Sequence, residues 1–248
     1  MLIPIIILVI IVAAIVLGFF FKVLKLVLKV VIFAGIAFCI VMVIGGLLVH
    51  QDAGDFVEKF PASPKKMFLM EDGQMLAGYR TTDFKDTYYY SESEMDNFSA
   101  IIRDGQAEEL LGEDYKLIIF NKDAFADVEN ARLPGIDKPF TAQEIDDLLT
   151  QGGASARLAD ILYLTLNSSI REQISFEDFY EGMQERLGGD EKVKGMIFIV
   201  LIDEASDNNT VKFLVDGVRD SSIKVYPESS MFTMYRIMPK SILEMAIG

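Results

Sequence analysis

The residues able to do chemistry are few in kind. The chain has one histidine, His50, and one cysteine, Cys39. Everything after residue 50 therefore lacks the means for a histidine triad, a Cys–His nucleophile, a His/Cys zinc cage or a disulfide. Serine and carboxylate chemistry remain. Gly152-Gly153-Ala154-Ser155-Ala156 sets a serine among small residues, where a lysine could act as its base in a hydrolase. Two glycines that end one helix, followed by a serine that opens the next, account for every one of those residues. Asp203-Glu204-Ala205-Ser206-Asp207 offers oxygen ligands to calcium through Asp203, Glu204 and Asp207. Its spacing does not match an EF-hand loop, and a solvated turn between two strands explains it as well. The pairs Glu108-Glu109 and Asp146-Asp147 read as helix surface. No phosphate-binding glycine loop occurs, and no cofactor is expected.

A recognition role has one candidate in Tyr88-Tyr89-Tyr90. On a strand, Tyr88 and Tyr90 share one face and Tyr89 takes the other, so one face joins the core and the other could meet a partner.

The elements that must position these residues begin with two apolar runs, 2–21 and 30–49. Each is about 20 residues, the length that covers the ~30 Å hydrocarbon core as a helix. The sequence thus predicts a two-helix transmembrane hairpin. A basic connector spans 22–29, a linker 50–65, and an acidic α+β domain with a mainly antiparallel sheet spans 66–248. Lys22, Lys25 and Lys29 fall on one helical face, suited to lipid headgroups and to staying on the cytoplasmic side, which would put the domain outside the cytoplasm. Ala14 and Gly18, with Gly35 and Cys39, are spaced for close helix packing within the bilayer.

The charge lies almost wholly after residue 50. There, 20 basic residues stand against all 37 acidic ones, leaving −17 within a chain of net −14. Such a surface repels phosphate, which disfavours nucleic acid and favours cationic partners.

Strands are predicted at 66–70, 74–80, 87–91, 115–120, 193–202, 211–215, 222–226 and 231–237. The first two flank a turn at Glu71-Asp72-Gly73. Helices are predicted at 98–111, 142–150, 156–166 and 176–187, with Thr141/Glu144 and Ser175/Asp178 as start signals and Gly188-Gly189 as a stop. The expected function is a membrane-anchored, non-catalytic binding or assembly domain in contact with the bilayer and with another protein or copies of itself. An anchored hydrolase using Ser155 or a carboxylate pair, and a cytoplasm-facing sensor, are the alternatives.

Overall fold

The computed structural model describes residues 32–36, 51–83, 86–207 and 209–237. The chain divides into two units, Met1–Gln51 and Asp52–Gly248. In the first, residues 32–36 are helical. Among the described residues no helix is long and apolar enough to cross a membrane. The remainder of both expected spans lies outside the described residues, as do Ala14, Gly18, Lys22, Lys25, Lys29 and Cys39. Apolar length was the warrant for a transmembrane hairpin and an integral-membrane location, and the placement of the domain outside the cytoplasm, argued from the connector lysines, presupposed them. With no such helix among the described residues, those three assignments are corrected. No described residue comes within 4 Å of where a Cβ on Gly35 would sit.

The second unit is an α+β domain. Its sheet is mixed, three strand pairings being antiparallel and one, β1 with β4, parallel, in the order β3-β2-β1-β4-β7. β1 (Lys65–Glu71) and β2 (Gln74–Thr81) form the expected hairpin. Asp72 and Gly73, with φ of 49° and 81°, supply the two left-handed residues that a tight hairpin turn needs. β3 (Thr87–Tyr89) extends the antiparallel edge beside β2. β4 (Lys116–Asn121) then lies parallel to β1, pairing Met67 with Ile118 and Leu69 with Phe120. β7 (Ile223–Tyr226) closes the other edge, antiparallel to β4.

The parallel pair needs a crossover, provided by β3 and α2 (Glu92–Arg103). Ser91 and Glu94 start α2 with a complete capping box, which satisfies two otherwise orphaned N–H groups. Helices cover both faces, so β1 and β4 read as near-continuous apolar runs. On one face Phe68, Met75, Leu117 and Ile119 pack with Tyr90 and Met95 of the α2 layer. On the other, Tyr79 and Phe120 meet Phe198 of α7 (Asp190–Ser206) at ring-centroid distances of 5.6 and 5.4 Å.

Helix α3 (Ala142–Thr150), α4 (Ala154–Thr165), the short α5 (Ser168–Arg171) and α6 (Phe176–Leu187) precede α7, and α8 (Thr210–Asp220) follows it. Thr141 with Glu144 caps α3 as expected, Ser175 accepts from the Asp178 N–H, and α6 stops at Gly188. A two-stranded ladder of β5 (Asn130–Ala131) and β6 (Phe140–Thr141) leads into α3. The last element among the described residues is α9 (Ser230–Ile237).

Three predicted strands are helices. The run 193–202 lies within α7, 211–215 within α8, and 231–237 within α9. Val193, Ile197, Phe198, Val200, Leu201 and Ile202 are all buried, so α7 shows no polar stripe, and an apolar run without a stripe has no helical signature. The expected linker also carries structure. Residues 51–59, here α1, are helical, and Phe56 and Phe60 are buried with centroids 4.7 Å apart.

Candidate functional site

The serine site resolves first. Ser155 sits in the first turn of α4, whose N-cap is Gly153 at φ 75°. Its Oγ donates to Asp190 Oδ1 at 2.6 Å and its N–H donates to the same oxygen at 2.9 Å. Asp190 also accepts from the backbone N–H groups of Gly153 and Ala154. Burial alone would raise its pKa. The hydrogen bonds from the Ser155 hydroxyl and the three backbone donors outweigh burial and hold it below the usual carboxylate range. A carboxylate thus caps α4 from the first turn of α7. No lysine contacts Ser155 among its hydrogen bonds, and the arrangement serves helix capping.

The acidic candidates separate. Asp203 and Glu204 lie in the last turns of α7, and Asp207 is its left-handed C-cap at φ 41°. Asn209 caps α8 by accepting from the Lys212 N–H. The segment is therefore a turn between two helices, not two strands. Among the described residues, no group of three or more His, Cys, Asp or Glu could hold a metal ion.

Tyr88 and Tyr90 share one face, their ring centroids 5.2 Å apart, and Tyr89 takes the other, but the split into a core face and an open face is not seen, because both faces are packed. Tyr90 is 6% exposed and stacks on Phe68. Tyr89 lies on the opposite face against Gly195 of α7, where a Cβ would come 2.2 Å from its ring. Only Tyr88 is open to a partner, at 54% exposure, and its hydroxyl donates to Glu94 at 3.0 Å.

Concave sites lie elsewhere. The first is an apolar cavity of about 520 Å³ on the α7 face of the sheet. α1 contributes Phe56 and Val57, and the chain after it Phe60 and Pro61. The sheet contributes Met67 and Tyr79. α7 adds Ile199, Val200, Ile202, Asp203 and Ser206, while Thr210 and Val211 of α8 with Pro134 complete the wall. The Tyr79 hydroxyl, fully buried, donates to Met67 Sδ at 2.8 Å. Burial raises that phenol well above its ordinary pKa.

The α1 wall is fastened from beneath. The buried ammonium of Lys65 donates to the carbonyls of Phe60, Ser63 and Thr82 at 2.8, 3.1 and 2.6 Å, a cation at a helix C-terminus. Burial pulls its pKa down to about 8, against the pull of the Asp83 charge. Asp52 accepts from the Met231 N–H at 2.6 Å and Phe56 meets Phe232 edge-on at 5.4 Å, tying α1 to α9.

Neither a family model, nor a curated protein, nor a solved structure matches this chain. Function must come from the site alone.

The second concave site is an acidic cleft of about 560 Å³ between the loop after β4, the end of α7, and α8. Asp123, Asp127, Glu129, Glu204, Asp216 and Asp220 line it. None of the six has a salt-bridge partner among the described residues. A third hollow, about 390 Å³, opens at the carboxyl ends of β1 and β4 beside Lys122, which bridges Glu71 at 2.7 Å and Asp146. Burial would lower the Lys122 pKa, but hydrogen bonds to those two carboxylates raise it. One ammonium there meets two carboxylates, whereas the six acids of the cleft meet none among the described residues.

Sequence reasoning did not find the cavity. One usable signal was Phe56 and Phe60, spaced i, i+4 in a segment read as linker.

Proposed function

We propose that this chain carries a non-catalytic binding domain that seats an apolar group of a protein partner in the cavity bounded by α1, the sheet and α7. The observation that carries this reading is the cavity itself. Its volume of about 520 Å³ lies within the range of sites that bury small apolar ligands or several side chains. Its walls are aromatic and aliphatic, with a few polar groups at the end of α7, the composition that such sites use. Nothing about it equips a reaction. The residues offered for catalysis, Ser155 and the paired carboxylates, lie outside its lining.

The test uses the full chain and Nile red, a neutral dye whose emission rises in apolar surroundings. Val57 is 56% exposed on the cavity wall, so Val57→Trp fills the cavity without disturbing the core. Dye binding is expected to fall about tenfold, with an unchanged thermal midpoint as the check on folding. Undiminished binding in a folded Val57→Trp protein, repeated with Val211→Trp, would overturn the reading.

A further inference from the structure

The cavity and the acidic cleft share a scaffold. Asp203 lines the cavity and Glu204, next in the chain, lines the cleft. Thr210 and Val211 at the start of α8 face the former, while Asp216 and Asp220 further along face the latter. Neighbouring residues of one helix separate the two sites, so the gap is about the width of a helix, roughly 10 Å. An extended chain crosses that distance in about three or four residues.

From this juxtaposition we infer that the cavity's occupant is a protein segment in which an apolar anchor is followed, about three or four residues on, by lysines or arginines lying in the acidic cleft. This rests on the reading of the cavity as a binding site and adds the charge of what binds. Six carboxylates without ion-pair partners make the cleft a field of one sign, which attracts cations and rejects anions. Their dispersal decides the kind of cation. No three of the described acidic groups converge closely enough to hold a metal ion, so one divalent ion would meet too few ligands. Several ammonium or guanidinium groups spaced along a chain would each meet their own carboxylate. Lys122, the nearest base in the sequence to Asp123, is already engaged with Glu71 and Asp146 and does not neutralise the cleft.

The experiment measures fluorescence anisotropy of labelled synthetic peptides with the full chain. One peptide carries a Leu-Phe anchor and, about four residues on, three lysines. A second replaces the lysines by glutamates, and a third replaces the anchor by two serines. The lysine peptide is expected to bind about 30-fold more tightly than the glutamate peptide and to weaken steeply as salt rises. Asp216→Asn with Asp220→Asn should weaken the lysine peptide about tenfold and leave Nile red binding unchanged. Val57→Trp should weaken both.

Equal binding of lysine and glutamate peptides, or no peptide binding while Nile red still binds, would overturn the inference and leave the cavity reading standing. Equal binding of the lysine peptides with and without the anchor would also overturn it, because the cavity would then be uninvolved. Loss of Nile red binding as a cavity probe would remove both.

Discussion

Lys65 supplies a prediction whose sign runs against intuition. Its ammonium is fully buried among the backbone carbonyls of Phe60, Pro61, Ser63 and Thr82, yet its folded pKa is about 8 against an ordinary 10.5. Burial therefore costs the charged form more than the carbonyls and Asp83 return to it. Between pH 8 and 10.5 the folded protein has released this proton while the unfolded chain still binds it. Where the unfolded state binds more protons, stability rises with pH. Below pH 8 both states are protonated and the contribution is flat. The pKa difference sets a ceiling of about 3 kcal/mol on the gain across that window.

The perturbation is Lys65→Met, read by urea unfolding at closely spaced pH values from 7 to 10.5. Subtracting the variant from the parent cancels groups common to both. Lys116 needs its own control, because it pairs with Lys65 in register across β1 and β4 and its pKa is also lowered by burial, with Asp52 opposing. The parent-minus-variant difference is expected to be constant to pH 8 and then to climb by up to about 3 kcal/mol. At neutral pH the variant should be the less stable protein, since the carbonyls around the ammonium lose their donor at about 1 kcal/mol or more each. A difference that is flat or falls between pH 8 and 10.5, in both the parent and the Lys116→Met background, would refute the reasoning.

Two further predictions concern buried charge and capping. Asp114, 3% exposed at its side chain, takes Arg80 at 2.8 Å and Lys66 at 3.3 Å; Asp114→Ala should cost about 3 kcal/mol in urea unfolding, because two cations at the ends of β1 and β2 lose their counter-charge. Asp190→Ala should cost about 2 kcal/mol by removing the acceptor for the start of α4, against about 1 kcal/mol for Ser155→Ala, which leaves the backbone donors satisfied. Since the folded Asp190 pKa is lowered, its contribution is present above the ordinary carboxylate value of 3.8 and fades as pH falls through the folded value. Equal costs for the two variants would show that Asp190 serves Ser155 rather than the helix.

The parts of the fold legible from the chain are those determined within about five residues. The Asp72-Gly73 turn, the Thr141/Glu144 box and the Gly188 stop are local hydrogen-bond and φ requirements, and each lies where the residue types put it. The parallel pairing of β1 with β4 is different. It depends on α2 packing over one face of the sheet, and no residue of Lys65–Glu71 or Lys116–Asn121 records that partner. α7 fails for a related reason. Alternation and helical stripes both report a boundary between core and water, and a helix whose Val193–Ile202 stretch is nearly all buried has no such boundary to report. Gly195 hints at the truth only afterwards, because its missing Cβ is what admits the Tyr89 ring.

The candidate site was illegible because no single segment contains it. Ser155 drew attention through its glycines, but the group that decides its role, Asp190, stands 35 residues away and belongs to a helix that read as a strand. The cavity takes its walls from α1, β1, β2, the Pro134 loop, α7 and α8, so it exists only once the strand order has brought β1 and β2 beneath α7. Its charge was legible in aggregate, since the excess of acidic residues is a sum over the chain that folding cannot change. What folding adds is where that charge goes uncompensated. Glu71 and Asp146 share Lys122, and Asp114 holds Arg80 and Lys66, whereas the carboxylates on the last turn of α7 and along α8 find no base among the described residues.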